Sequence, residues 1–254
     1  MLTIHLICYQ IPGRTLPSEW SNSIKSWVDM HPDGRVMVWD NENLDRFVGE
    51  LSPEYRAIYD ELEYWIQKFD FIRLIILLKY GGMYSDLDIV PTKPFYFIES
   101  YDMPFFCSFR HSDEQRSVIY YNNSIFGAPR NHPLIKEIIE GLILNHRNRI
   151  GKGYRTKIFR VLLSTGPFAL TNILMNTKHP YVTLPRGLIN SCHIDEPYPC
   201  QGEDAIVQHL KGGSWLSFED AAYKRFFEVA RGSNVLIVLA IILSFMIVWL
   251  AMVL

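Results

Sequence analysis

The chain has 254 residues, 48% of them hydrophobic and 14% aromatic, with a formal net charge of −2. Such a length and apolar content bury one full core, and without a repeat or low-complexity linker the economical division is one domain plus one tail. The near-neutral charge shows no basic run, its Lys and Arg reading as scattered solvated surface, which argues against a nucleic-acid role; the four cysteines (Cys8, Cys107, Cys192, Cys200) lack zinc-site spacing.

In chain order, residues 3–9 are β-rich, alternate poorly and are bounded by Pro12-Gly13, the pattern of a buried first strand. Residues 17–29 follow as a helix with Trp20 and Trp27 inward, 35–39 as a short strand, and Ser52-Pro53 has the cap and first-turn pattern of a helix start. Phe69, Ile72, Ile76 and Lys79, with Leu74, Leu77 and Leu78, give an apolar surface too broad for one stripe, so that helix is expected to be buried on most sides. Gly81-Gly82 ends it where positive φ costs nothing, and Met83-Tyr84-Ser85 reads as a strand delivering Asp86 and Asp88. Residues 103–109 and 118–126 read as later strands and 133–144 as a helix. Gly166-Pro167 reads as a further helix start, capped by a hydroxyl of Ser164 or Thr165, with its N-terminal amides lining the cleft. Strand and helix alternate up to the Asp-x-Asp, which predicts an α/β sheet with crossover helices and ligands at the carboxyl ends of its strands.

Chemistry concentrates between Asp70 and Asp88. Two carboxylates one residue apart, just past a tight turn, present hard oxygen ligands to a divalent cation, which keeps its other positions for water and phosphate oxygens. A lone Asp-x-Asp also arises in any solvated acidic loop; its place after a buried helix, a double glycine and an aromatic strand is what makes it specific. Asp70 and Arg73 share a helix face, where they either pair as an ordinary ion pair or both point at a ligand.

The run Asp70-x-x-Arg73, the Leu-rich turn, Gly81-Gly82-x-Tyr84 and Asp86-x-Asp88 resembles the signature of the Asp-x-Asp sugar transferases of glycosyltransferase family 32. That family includes inositol-phosphoceramide mannosyltransferases, outer-chain mannosyltransferases and capsular sugar transferases. Leu16-Pro17, Ser23 to Trp27 and Val38-Trp39-Asp40 match its opening; Asn122-Asn123, His132-Pro133, Thr165-Gly166-Pro167, His209 and Ser214-Trp215 match later blocks, so the resemblance covers residues 1–216. Leu6-Ile7 depart from the His-Gln usual on the family's first strand. The resemblance implies a GT-A-like nucleotide-sugar-binding fold, retention at the anomeric centre, and manganese or magnesium as cofactor. It implies Asp88 as metal ligand, Asp86 on a ribose hydroxyl or a water-bridged metal contact, and Asp70 and Arg73 on donor-sugar hydroxyls. Tyr9, at the end of the first strand, is placed to stack on the nucleobase, with a plain core tyrosine as the alternative, and Tyr84 points toward the same pocket if the strand alternates with Asp86 and Asp88. Asn122 and Asn123 are expected at acceptor or sugar hydroxyls, and His209 with Ser214 and Trp215 closing over metal and diphosphate. Expected partners are a nucleotide sugar (GDP-mannose or a UDP-sugar), a lipid or glycan acceptor and the bilayer.

Residues 235–254 form an uncharged run with Ser244 its one polar side chain, long enough for a helix to cross a ~30 Å hydrocarbon core. The expected division is a catalytic domain at 1–231 and a C-terminal transmembrane anchor at 235–254. Residues 2–8 are too short for a signal peptide and lack a basic leader. Lys224, Arg225 and Arg231 before the span place the catalytic domain in the cytoplasm, with the endoplasmic reticulum or Golgi lumen as the alternative. A cytoplasmic domain favours reduced thiols, with a Cys192 to Cys200 bridge as the local alternative. Two other functions fit part of the pattern. Asp86-Leu87-Asp88-Ile89-Val90 is compatible with the nucleophile motif of haloacid-dehalogenase-like phosphatases, and a tethered, inactive transferase fold would act as a binding protein.

Overall fold

Strand β1 (Thr3–Ile7) buries side chains on both of its faces, which is why it does not alternate. Ile4 and Leu6 enter one apolar cluster with Trp27, Met83 and Phe95, while Ile7 enters the other with Ile72, Ile76 and Phe126. The computed structural model describes residues 1–96, 102–110, 119–154, 156–184, 188 and 205–210. Their elements run α1 (Glu19–Met30), β2 (Arg35–Trp39), α2 (Asn41–Gly49), α3 (Pro53–Glu61), α4 (Trp65–Tyr80), β3 (Gly82–Ser85), β4 (Ile89–Pro91), β5 (Phe105–Arg110) and β6 (Ile119–Ala128). After them come α5 (Pro133–Arg147), α6 (Lys157–Ser164), α7 (Pro167–Asn176), β7 (Val182–Leu184) and β8 (Val207–His209). A six-stranded mixed sheet has the order β2-β1-β3-β6-β5-β7, with β2, β1 and β3 parallel and β6 antiparallel to both neighbours; β4 and β8 pair separately. The α/β expectation holds.

Helix α4 is buried nearly all round from Asp70 to Leu77, as its breadth of apolar positions predicts. Ser52 caps α3, accepting from the Tyr55 amide at 3.3 Å with Pro53 in the first turn. Helix α2 was not anticipated, although Asp40 caps it by accepting from the Asn43 amide at 2.8 Å. Other ends shift by a few residues: β1 stops at Ile7 and α5 runs on to Arg147. The hydroxyl cap expected before Pro167 is not made. Gly166 occupies the cap position, Ser164 Oγ donates back to the Arg160 carbonyl at 2.6 Å, and Thr165 Oγ1 donates to Asp70 instead.

Gly81 and Gly82 carry φ values of +68° and +94°. A Cβ at Gly82 would lie 2.3 Å from the Thr3 carbonyl oxygen, so the close pairing of β3 on β1 requires hydrogen there. Gly82→Ala should lower stability by more than about 3 kcal/mol, from left-handed backbone strain plus the clash. A denaturant titration within about 1 kcal/mol of wild type would show that β3 does not sit against β1 in this way.

One described stretch, Lys157–Asn176, has the length and apolarity to cross a bilayer. It is broken at Thr165-Gly166 into α6 and α7, half of it is buried within the protein, and α7 packs on β6 and α5; it belongs to the core. The expected anchor at 235–254 lies outside the described residues, as do Cys192 and Cys200; Cys8 and Cys107 are free thiols.

Candidate active site

The parallel strand β3 ends at Ser85, and the turn Asp86-Leu87-Asp88 follows it directly. Both carboxylates line a cleft of about 280 Å³. Its apolar wall is made by Ile7 at the end of β1, Tyr9 and Ile11 just after it, Trp20 of α1, and Tyr64, Trp65 and Phe69 at the start of α4; Arg14, Glu63, Arg73 and Lys157 add charge.

Arg73 organises the floor. Its side chain is 2% exposed, and a guanidinium in that position must be met on every side. Nε donates to the Phe69 carbonyl at 3.0 Å and Nη1 to the Asn123 carbonyl at 2.6 Å. Nη2 lies 3.1 Å from Asp70 Oδ1, Nη1 lies 3.2 Å from Asp86 Oδ1, and the Tyr84 ring stacks 4.6 Å from the guanidinium carbon. Burial works against its charge, but Asp86 and, less strongly, Asp70 hold its pKa above the ordinary arginine value. Tyr84 was expected to face the donor. It lies beneath instead, 2% exposed, its hydroxyl donating to Asp86 Oδ1 at 2.6 Å.

Asp70 likewise faces protein rather than the main cleft. Its Oδ1 accepts from Asn123 Nδ2 at 2.8 Å and its Oδ2 from Thr165 Oγ1 at 2.9 Å, beside a small void shared with Leu74 and Leu142. Asn123 reaches both Asp70 and Arg73 because β6 bulges: Phe106 pairs with Phe126 but Cys107 with Asn122, so Asn123, Ser124 and Ile125 loop out of register. Asn123, expected at a substrate hydroxyl, is thus committed to the network. Neighbouring Asn122 is 4% exposed; its Oδ1 accepts from the Ser124 amide, and its Nδ2, like Ser124 Oγ, has no hydrogen-bond partner. The Ser124 carbonyl accepts from the Asp86 amide at 2.7 Å, which pins the turn to the bulge.

Burial pushes the Asp70 carboxyl up to about 7, against the pull of Arg73, Thr165 and Asn123. The folded protein therefore holds a proton that the unfolded chain gives up at an ordinary value of 3.8. The associated stability is fully present below that lower value and is lost as pH rises through about 7. Wild type should accordingly lose stability between pH 5 and pH 8, and Asp70→Asn should flatten that slope. Equal slopes in urea titrations of the two proteins would place the titration elsewhere.

Tyr9 is 8% exposed, packs its ring on Trp65 (5.1 Å) and Phe69 (5.9 Å), and donates to Asp45 at 3.1 Å. Trp65, Phe69, Arg14 and Lys157 were missed as lining residues, since apolar periodicity alone assigns the aromatics to core. Strand β8 brings the His209 backbone opposite Ile89, and the Leu210 amide donates to the Asp88 carbonyl at 2.6 Å. The His209 side chain, Ser214 and Trp215 lie outside the described residues. Among the described residues no group of three His, Cys, Asp or Glu is gathered for a metal.

Residues 17–104 match the family described as a glycosyltransferase sugar-binding region containing a DXD motif. Inositol phosphoceramide mannosyltransferase 1 of Schizosaccharomyces pombe is 30% identical over 245 residues, covering 93% of this chain and 69% of that protein. Inositol phosphoceramide mannosyltransferase 3 of the same organism is 28% identical over 158 residues, 62% of this chain and 41% of its own length. Among solved structures, a galactosyltransferase, LgtC, in complex with donor and acceptor sugar analogs aligns with a TM-score of 0.49 at 14% identity, over 92% of this chain and 96% of that one.

Proposed function

Because this chain belongs to glycosyltransferase family 32, the sugar transferases with a DXD-containing sugar-binding region, we propose that it moves a hexose, with mannose favoured, from a nucleotide-sugar donor to a lipid or glycan acceptor at a membrane. The donor is GDP-mannose or a UDP-sugar. The observation that carries the reading is the pair Asp86 and Asp88 at the carboxyl end of a parallel strand, both opening onto an aromatic-walled cleft. We read the sheet as the nucleotide-binding half of a GT-A fold.

The donor set suits a hard divalent cation, manganese or magnesium, because carboxylates offer hard oxygen acceptors. Asp86 Oδ1 is already engaged by Arg73 and Tyr84, so Asp88 is the stronger ligand. Asp86 would take a ribose hydroxyl or a bridging water, and His209 would be the further ligand. Such a cation supplies charge neutralisation of the departing diphosphate. Arg14 and Lys157 add positive charge to the same cleft, while Tyr9, Trp65 and Phe69 give the base an apolar wall. Ser214 and Trp215 close over the phosphates. Arg73, Asp70, Asn123 and Thr165 hold Asp86 in place from below, so catalysis is chiefly positional and electrostatic, with retention at the anomeric centre. Residues 235–254 anchor the domain, which faces the cytoplasm.

Neither alternative has support. A dehalogenase-like phosphatase needs a long hydrophobic strand before its carboxylates, and β3 is a four-residue strand entered from a double glycine. An inactive binding protein has no need of an intact Asp86 and Asp88 pair.

To test the reading, the full chain in detergent with manganese is given a panel of GDP- and UDP-sugars and an inositol-phosphoceramide acceptor. Mannose appearing in the lipid from GDP-mannose is the expected result. Transfer from a UDP-sugar alone would reassign the donor, and no transfer from any donor to lipid or glycan would reject the proposal.

Tyr84→Phe should lower turnover about tenfold and stability by about 1–2 kcal/mol, since Asp86 loses a short hydrogen bond inside a buried network. Unchanged turnover would mean that Tyr84 packs there without orienting Asp86.

A further inference from the structure

Part of the positive charge of this chain is concentrated in one stretch. Residues 147–160 contain Arg147, Arg149, Lys152, Arg155, Lys157 and Arg160 and no Asp or Glu, in a chain of net charge −2. They run from the end of α5 through its connecting loop into α6. The loop is fixed at its base: Arg160 Nε donates to the Tyr154 carbonyl at 2.7 Å, and the Ile150 amide to the Asn145 carbonyl at 2.9 Å. Arg147 pairs with Glu54 at 2.8 Å and Arg160 with Glu63 at 3.2 Å, so those two charges are largely answered within the protein. Arg149 and Lys152 are exposed and form no ion pair among the described residues. Beside them, Ile150 is 42% exposed and Tyr154 50% exposed. A short loop thus presents two cations and two apolar side chains together.

We propose that the α5–α6 loop is a docking surface for an anionic bilayer, with Arg149 and Lys152 against lipid phosphates and Ile150 and Tyr154 in the interfacial layer. Charge complementarity selects the anionic leaflet, where each nearby Lys or Arg adds to attraction, and a tyrosine with an aliphatic neighbour suits the boundary between headgroup and acyl chain. An acidic polymer in solution would use the cations but leave Ile150 and Tyr154 in water. Lys157 belongs to both the basic stretch and the cleft lining, so docking turns the cleft mouth toward the bilayer. That orientation serves acceptor delivery and, in this respect alone, rests on the proposed transfer to a lipid.

The test uses the full chain reconstituted in vesicles of phosphatidylcholine, with or without phosphatidylserine. An environment-sensitive fluorophore is placed on Gly153→Cys, where a Cβ meets no atom within 4 Å, and labelled wild type provides the background from the other cysteines. Docking predicts a blue shift and quenching by a lipid-borne quencher in phosphatidylserine vesicles, absent in phosphatidylcholine alone and lost at about 0.5 M salt. In Arg149→Glu/Lys152→Glu the lipid dependence should weaken about tenfold. Equal emission in both lipids, or a signal indifferent to the double variant, overturns the proposal. So does an equal shift on heparin or polyglutamate in solution, which would identify an acidic polymer as the partner. In parallel, the double variant should hydrolyse soluble donor at the wild-type rate and glycosylate a vesicle-borne acceptor several-fold more slowly. If neither protein hydrolyses donor, the transferase reading fails, while docking stands or falls on the fluorescence alone.

Discussion

Asp88→Asn is expected to reduce donor turnover by about a thousandfold or more while leaving the fold intact. The change removes a charge and an oxygen donor with almost no change of volume. Asp88 lies half-buried on the turn after β3, and the contact that ties this turn to β8 uses its backbone carbonyl, which asparagine keeps. The variant should therefore melt close to wild type and fail in nucleoside diphosphate release, most severely when manganese is limiting. Turnover near the wild-type rate at limiting manganese would remove Asp88 from the metal site. A loss of folding along with activity would instead give Asp88 a structural part.

Arg73→Lys should be the most destabilising conservative substitution in the domain, at about 3–5 kcal/mol, and should also cut turnover. One ammonium nitrogen cannot reach the Phe69 and Asn123 carbonyls, Asp70 and Asp86 together, which the guanidinium meets through three nitrogens in a plane. Asp70, if abandoned, stays buried with one neighbour fewer, whereas Asp86 is partly open to the cleft. If Asp86 is the one abandoned, the turn carrying both cleft carboxylates loses its support. Urea titration of the two proteins measures the first effect, and diphosphate release at saturating donor the second. A lysine variant as stable as wild type would show that positive charge suffices and that the planar fork has no special part.

Features of local origin were readable from the chain. The all-round burial of α4, the cap at Ser52, the bounds of β2 and the positive φ at Gly81-Gly82 each follow from residues within one turn or one strand of each other. What sequence missed was made at a distance. Thr165 meets Asp70 across 95 residues, and no helical or strand period links them, so local pattern points its hydroxyl to the nearest helix start. Asn123 reads as a substrate contact because nothing in its neighbours announces the three-residue shift in β6 that turns it toward α4. Strict alternation along the strand gives Tyr84 the exposure of Asp86, whereas the chain turns after Ser85 and leaves the ring below the carboxylate. The basic stretch at 147–160 is hidden for another reason: a net charge of −2 averages away a local concentration of cations.

In the proposed reaction Asp86 and Asp88 hold a cation that bears the donor's diphosphate. The most direct measurement is release of nucleoside diphosphate from GDP-mannose and UDP-hexoses by the full chain, with manganese and then with the metal chelated, compared between wild type and Asp88→Asn. Wild type should show metal-dependent release from at least one donor, restored when manganese is returned, and the variant none above background. Release that persists under chelation, or that survives in Asp88→Asn, would contradict that role for the pair.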